Sequence, residues 1–279
     1  MHIEPEITGF LRHIRACNNA VLPGGRLPFS IGADQVGWVQ PALARVLATF
    51  PQITTGPQGV CLHDPAALQT VVRGLVERGL LRWRGEAFDV RARPDAPPIT
   101  EIDRGALPAF GIEAVGVHLN GLVERPDGPH LWVARRAADK ALDPGKLDHL
   151  VAGGVPAGLT TQETLVKEAA EEAGIPAELA RQAAHVGVIR YTMARQEGLR
   201  RDLLQCYDLT LPETFRPYPH DGEVAAFELW PLPRVAEAVR STETFKFNVN
   251  LVLIDLFLRR GLFRPDDAAK LRAALSPRP

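Results

Sequence analysis

Three carboxylates constrain this chain more than any other feature. Glu168, Glu171 and Glu172 stand at i, i+3 and i+4, so a helix places them on one face. Solvated like charges at that spacing repel by about 0.2–0.5 kcal/mol per pair. A cation among them reverses the sign, and clustered carboxylate oxygens suit a hard divalent ion such as Mg²⁺. The flanks add to the constraint. Gly153, Gly154 and Gly158 precede the carboxylates, Lys167 lies beside them, and Gly174, Ile175 and Pro176 follow. The expected local structure is a tight glycine loop and then a helix from about Thr161 to Ala173, stopped by Gly174 and Pro176.

The rest of the chain must build a scaffold for that loop and helix. Its 279 residues are 46% apolar and 23% charged, enough to fill one large core or two ordinary ones. The formal net charge of −1 provides no global field for nucleic acid or an anionic membrane, so any phosphate must be held locally. Cys17, Cys61 and Cys206 are odd in number and far apart. They form no CxxC knuckle and no disulfide framework, and read as free thiols of a reducing cytoplasm. The first residues lack a signal-type apolar region, and no run approaches the ~18 apolar residues of a membrane span. The expectation is a soluble, cytoplasmic protein.

Apolar periodicity and breakers divide the chain in two. Residues 1–95 read as an accessory α+β domain. It has an amphipathic helix over 6–18, a turn region around Pro23–Pro28 and a helix over 41–50. A further helix begins at Asp64-Pro65 and ends at Gly79. Leu80–Trp83 and Ala87–Val90 read as a hairpin around Arg84-Gly85-Glu86. The Pro-rich stretch 91–98 reads as a linker. Residues 96–279 read as the main domain, with strands at 115–123 and 131–135 joined by an Asp127-Gly128 turn. Strands at 186–192, 203–209 and 225–230 and helices at 233–239, 249–260 and 265–275 follow. Mixed strands with a few helices fit an α/β sandwich.

The segment from Gly153 to Ile175 resembles the Nudix box, G-x5-E-x7-R-E-U-x-E-E-x-G-U with U aliphatic. Gly153, Glu168, Ala169, Glu171, Glu172, Gly174 and Ile175 match. Leu159 stands at the first Glu position, and Lys167 replaces Arg, keeping the charge without the planar fork. The resemblance extends to Glu101–Ala106, Gly116–Gly121, Trp132–Arg136, Pro144–Gly154, Gly198–Asp202, Asp221–Val224 and Phe245–Asn248. Together these are similar to the DUF4743-type subgroup, the Nudix domain fused to fungal thiamine pyrophosphokinases. That resemblance implies an α/β/α Nudix sandwich and an Mg²⁺-dependent hydrolase of phosphorus anhydrides, with Mn²⁺ an allowed substitute. It also implies cleavage of thiamine diphosphate and its oxo and oxy forms to the monophosphate plus phosphate, a metabolite-repair reaction.

Within it, Glu168, Glu171 and Glu172 are the expected metal ligands and catalytic groups, with Lys167 bracing the loop. Glu223 is the candidate distal ligand or water-positioning acid, and Glu228 its alternative. Candidate substrate contacts are Arg135, Arg136, Lys140, Lys146, Arg200, Arg201, His118, Asn120 and the backbone at Gly153 and Gly154. Successive strand residues face opposite ways, so at most one of Arg135 and Arg136 enters the site. Trp132, Tyr191 and Phe247 are candidates to stack on a ring. The partner is a small diphosphate substrate, with no nucleic acid and no membrane, and a homodimer is admissible. Rival readings are a Nudix hydrolase of ADP-ribose or a dinucleotide, and a non-catalytic Nudix-fold metabolite sensor.

Overall fold

The structure is a computed structural model describing residues 7–139, 142–219 and 222–276. Its first helix, α1 (Thr8–Cys17), buries Phe10, Ile14 and Cys17. It packs on the C-terminal helices rather than on the segment that follows it, since Phe10 and Ile14 share a core with Val235, Phe257 and Leu271. The helix expected over 6–18 is therefore present, with Glu6 outside the described residues.

The front module then forms as β1 (Leu27–Ile31), β2 (Asp34–Val39), α2 (Pro41–Leu47), β3 (Ile53–Gly56), β4 (Gly59–Leu62) and α3 (Leu68–Glu77). Its sheet has the order β2-β1-β4-β3. These four strands carry no strong local signal: Pro28 sits within β1, and β1 pairs in parallel with the distant β4, Phe29 opposite Val60. Before α3 the Asp64 carboxylate caps the turn by accepting the Ala66 N–H at 2.9 Å, with Pro65 at the first position.

The expected hairpin over 80–90 does not form. Its second half, β5 (Ala87–Val90), pairs instead with β6 (Thr100–Asp103), Phe88 opposite Ile102. The cause is Asp103, 1% exposed, whose carboxylate accepts the N–H groups of Arg84 at 3.0 Å, Gly85 at 2.7 Å and Gly105 at 2.8 Å. Those bonds hold 84–85 as a loop. The 91–98 stretch, expected as a linker, is the connection between two paired strands. The same core continues through α4 (Leu107–Phe110) to Ile112.

A seven-stranded mixed sheet follows. Its strands are β7 (Glu113–Arg125), β8 (Gly128–Arg136), β9 (Leu147–Asp148), β10 (Val151–Gly154), β11 (Ala184–Arg195), β12 (Gly198–Thr210) and β13 (Val224–Pro231). The spine runs β11-β12-β7-β8-β13. On one face lie α5 (Thr161–Ala173) and the short α6 (Ala177–Ala180), packed through Leu165, Ala169 and Ala173 onto Val117, Leu119 and Val151. On the other lie α7 (Leu232–Ser241), α8 (Val249–Arg259) and α9 (Pro265–Leu275). Nearly every residue of α8 is buried, as a helix apolar all round requires. The α/β/α sandwich expected from the sequence is the observed architecture. Among the described residues no helix is long and apolar enough to cross a membrane.

One irregularity of this sheet positions the site. Near its C-terminal end β7 pairs with β8, Leu122 opposite Leu131. Further back it pairs with β10, Val117 opposite Gly153, while β8 goes on to pair with β9, Ala134 opposite Asp148. The sheet forks there, and the polar side chains at the crotch are enclosed without being in a regular ladder.

Candidate active site

Helix α5 is fixed at both ends by its own sequence. Thr160 and Glu163 form a reciprocal capping box, with Thr160 Oγ1 accepting the Glu163 N–H and the Glu163 carboxylate accepting the Thr160 N–H. At the other end Gly174 adopts a left-handed conformation (φ 63°) and Ile175 donates its N–H to the Ala169 carbonyl. The three carboxylates therefore have a determined azimuth.

Each meets a different environment. Glu172 is 8% exposed and accepts the Ala152 N–H at 2.9 Å. Burial pushes its pKa well up, against that hydrogen bond, and the neighbouring Asp148 and Glu168 push the same way. Glu168 lies against Gly153, where a β-carbon would come within 2.5 Å of Glu168 Cδ. Burial raises its pKa too, with Lys167 opposing. Glu171 is half exposed and pairs with Lys167 Nζ at 2.6 Å, and the same ammonium reaches Glu168 at 3.3 Å.

A small cavity opens at the sheet fork, lined by Ala134, Arg136, Asp148, His149, Ala152, Glu172, Glu223 and Val224. Glu172 and Glu223 thus meet there, and Glu223 adds to the negative field on Glu168. Glu228 instead accepts the Trp230 Nε1–H at 2.9 Å and pairs with Arg135. Of the adjacent arginines, Arg136 lines the cavity and binds Asp148 at 2.8 Å, while Arg135 is turned toward Glu228 and the Gly145 carbonyl.

The other candidates are held elsewhere. Lys146 pairs with Asp143 at 3.6 Å. Arg200 is paired with Asp202, which also accepts the hydroxyl of the fully buried Tyr191. Arg201 donates to the Gly111 carbonyl. Asn120 donates to Asp208 at 2.9 Å. Phe247 lies between Arg195 and Arg200, and Trp132 is in the core beside α5. Lys140 and Asp221 lie outside the described residues.

His118 is buried and points at a residue that sequence reasoning passed over. Its Nδ1 is 3.0 Å from Nδ1 of His149, and it is His149 that lines the cavity, with its Nε2 buried and unpartnered. Burial lowers the His149 pKa to about 4. One ring must donate and the other accept at that distance, so each fixes the other's tautomer. Lys246, also passed over as a site residue, reaches Asp148 at 3.2 Å. Only the fork in the sheet brings these groups together.

The donor set fits a hard divalent ion. Glu172 is a carboxylate whose pKa is raised by burial and by the neighbouring Asp148 and Glu168, and Glu168 and Glu223 add carboxylate oxygens beside it. Among the described residues no three acids or imidazoles already stand at metal-holding separation, and Lys167 serves Glu168 and Glu171 as counter-ion.

Comparison with known proteins identifies the family. The family model described as the NUDIX domain matches residues 116–248, and one described as a domain of unknown function, DUF4743, matches residues 9–114. Nudix hydrolase 24, chloroplastic, of Arabidopsis thaliana is 39% identical over 279 residues, covering 95% of this chain and 76% of that protein. Nudix hydrolase 20, chloroplastic, of the same plant is 38% identical, with the same coverage. A solved Deinococcus radiodurans structure aligns over 64% of this chain and 100% of its own, with TM-score 0.46 and 19% identity. The three carboxylates of α5, the glycine loop before them and relatives aligned over most of their length lead to one conclusion: this chain belongs to the Nudix hydrolase family.

Proposed function

We propose that the chain is an Mg²⁺-dependent diphosphatase acting on thiamine diphosphate and its oxo and oxy forms, releasing the monophosphate and phosphate. The observation that supports diphosphate chemistry is Glu172, a buried carboxylate sharing one cavity with Glu223 and Arg136. Support for thiamine compounds is the sequence resemblance over 101–106, 116–121, 144–154 and 245–248.

Glu168, Glu171, Glu172 and Glu223 would hold Mg²⁺, which when bound polarises phosphate oxygens and makes a coordinated water more acidic. Arg136, already anchored by Asp148, presents positive charge to the same cavity, where a phosphate oxygen gains most from it. His149 presents a ring nitrogen there, with its tautomer set by His118. Lys167 neutralises Glu171 until a stronger cation arrives.

Phosphate release is the test, measured with Mg²⁺ over thiamine diphosphate, its oxo and oxy forms, ADP-ribose, NADH and common nucleotides, with coupled phosphatase where products lack free phosphate. Wild type runs beside Glu172→Gln. The expected result is preference for the thiamine compounds, lost in the variant. Preference for a nucleotide keeps the site and removes the thiamine assignment. Binding without turnover supports a metabolite sensor instead.

A further inference from the structure

Gly153 and Gly154 are neighbours on β10, so their absent side chains would point to opposite faces. Both faces are taken. At Gly153 the space belongs to Glu168 of α5. At Gly154 it belongs to the front module, where a β-carbon would come within 2.5 Å of Phe88 Cζ and 3.1 Å of Phe88 Cε1. The strand that seats a metal-site carboxylate is pressed between α5 and a phenyl ring from β5.

A second contact reinforces the first. Ala87, next to Phe88 on β5, accepts the Ala157 N–H at 2.8 Å, so the loop after β10 is tied to the same short strand. The strand itself is held firmly. Phe88 is 3% exposed and shares the front core with Val90, Ile102 and Phe110. The buried Asp103 carboxylate, on the paired β6, secures the backbone of 84–85 just before β5. By contrast, among the described residues the cavity at the sheet fork is lined only by residues of the main sheet, α5 and their connections.

We infer that the front module serves as a brace for the catalytic loop, and that Phe88 is a positioning residue for the metal site, acting through Gly154 and the adjoining Gly153 on Glu168. This assigns a physical role to the domain of unknown function at residues 9–114, and its metal-site part rests on the reading of Glu168 as a ligand. Loss of the ring would free the 153–159 backbone and blur the carboxylate's position, without removing any group that touches metal or substrate.

The test uses the full chain and two readouts. One is Mn²⁺ binding, followed by the electron paramagnetic resonance of free Mn²⁺. The other is amide hydrogen exchange over residues 153–159. The variants are Phe88→Ala, Phe88→Leu and Phe29→Ala, the last in the same core, with its ring 4.9 Å from Phe110. Phe88→Ala is expected to weaken Mn²⁺ binding about 10- to 100-fold, the range for partners behind metal ligands, and to speed exchange in 153–159. Phe88→Leu, which refills most of the space, should recover most of both. Phe29→Ala should lower Tm while leaving both readouts close to wild type.

The brace is refuted if folded Phe88→Ala keeps wild-type binding and exchange, or if Phe29→Ala weakens them equally. Should Phe88→Ala not fold, Phe88→Leu carries the same two readouts, with smaller shifts expected and wild-type values refuting the brace. If the wild type binds no Mn²⁺, the diphosphatase reading falls, while the exchange data still decide whether Phe88 holds the loop.

Discussion

Asp148 and Glu172 are neighbours at the sheet fork and equally buried, at 6% and 8% exposure, yet their charge states are driven apart. Burial raises both. Around Asp148 it is overcome by Lys246 at 3.2 Å, the His149 ring and Arg136 at 2.8 Å, which hold the carboxyl well below the ordinary range. Around Glu172 the Ala152 N–H and Lys246 are together too little to offset burial, and Asp148 and Glu168 add repulsion. One carboxylate is balanced by the chain's own cations; for the other, burial outweighs them. Clustered acids on a helix face would look the same in sequence whether solvated or functional. Unequal compensation at equal burial separates the two cases.

The largest effect should come from breaking the balanced side. Asp148→Ala strands Arg136 and Lys246 at a buried site, and removing one partner of such a cluster costs about 3–5 kcal/mol. Urea unfolding should show it, and a loss under about 1 kcal/mol would mean water already serves these cations. Next comes Glu172→Gln. The amide can still accept the Ala152 N–H but has lost the negative charge that would hold a metal, so kcat should fall by about 10²–10³ or more. Because a buried, uncompensated carboxyl is removed, metal-free stability should hold or rise. A fall like that of Asp148→Ala would make the two carboxylates alike and abolish the contrast.

A third measurement uses pH. The folded pKa of Glu172 is raised above its ordinary 4.5, so the folded state keeps a proton that the unfolded chain releases. That contribution to stability is present at low pH and is lost as pH rises through and beyond 4.5. At the proposed site Mg²⁺ would bind the deprotonated form and stabilise by RT ln(1 + [L]/Kd), about 2.7 kcal/mol at a hundredfold excess over Kd. The Tm increment from Mg²⁺ should therefore grow as pH rises above 4.5. An increment independent of pH would place the metal away from Glu172.

How much of this was legible depended on the range of the signal. Helix α5 could be bounded at Thr161 and Ala173 because apolar spacing, Gly174 and Pro176 all act within a few residues. The β7–β8 hairpin was equally local, set by Asp127-Gly128. The front sheet was not, since β1 finds β4 about thirty residues on, in parallel, and Pro28 masks the strand. The false strand at 80–83 is undone by Asp103, nineteen residues beyond Arg84. At the site, the choice between Arg135 and Arg136 followed from strand alternation, but its direction needed the fork. His149 had no signal of its own, because its meaning comes from β10 lying beside β7. Arg200 did carry one. Asp202, two residues on, shares its strand face and claims the guanidinium.

The smallest effect tests the exposed end of the same comparison. Lys167 and Glu171 are each close to half exposed, at 46% and 49%, so their short contact is an i,i+4 surface pair. Such pairs contribute about 0.3–0.5 kcal/mol and weaken with salt. Lys167→Gln should cost no more than that in the metal-free protein, with the loss shrinking at about 1 M salt. Saturating Mg²⁺ should shrink it further, since under the proposed assignment the ion would take over as counter-charge for Glu168 and Glu171. A loss of several kcal/mol would show that the ammonium is built in as firmly as Arg136 and Lys246. Glu168 would then belong with Asp148, among the carboxylates the chain completes for itself, and the metal would have to be held by Glu172 and Glu223 without it.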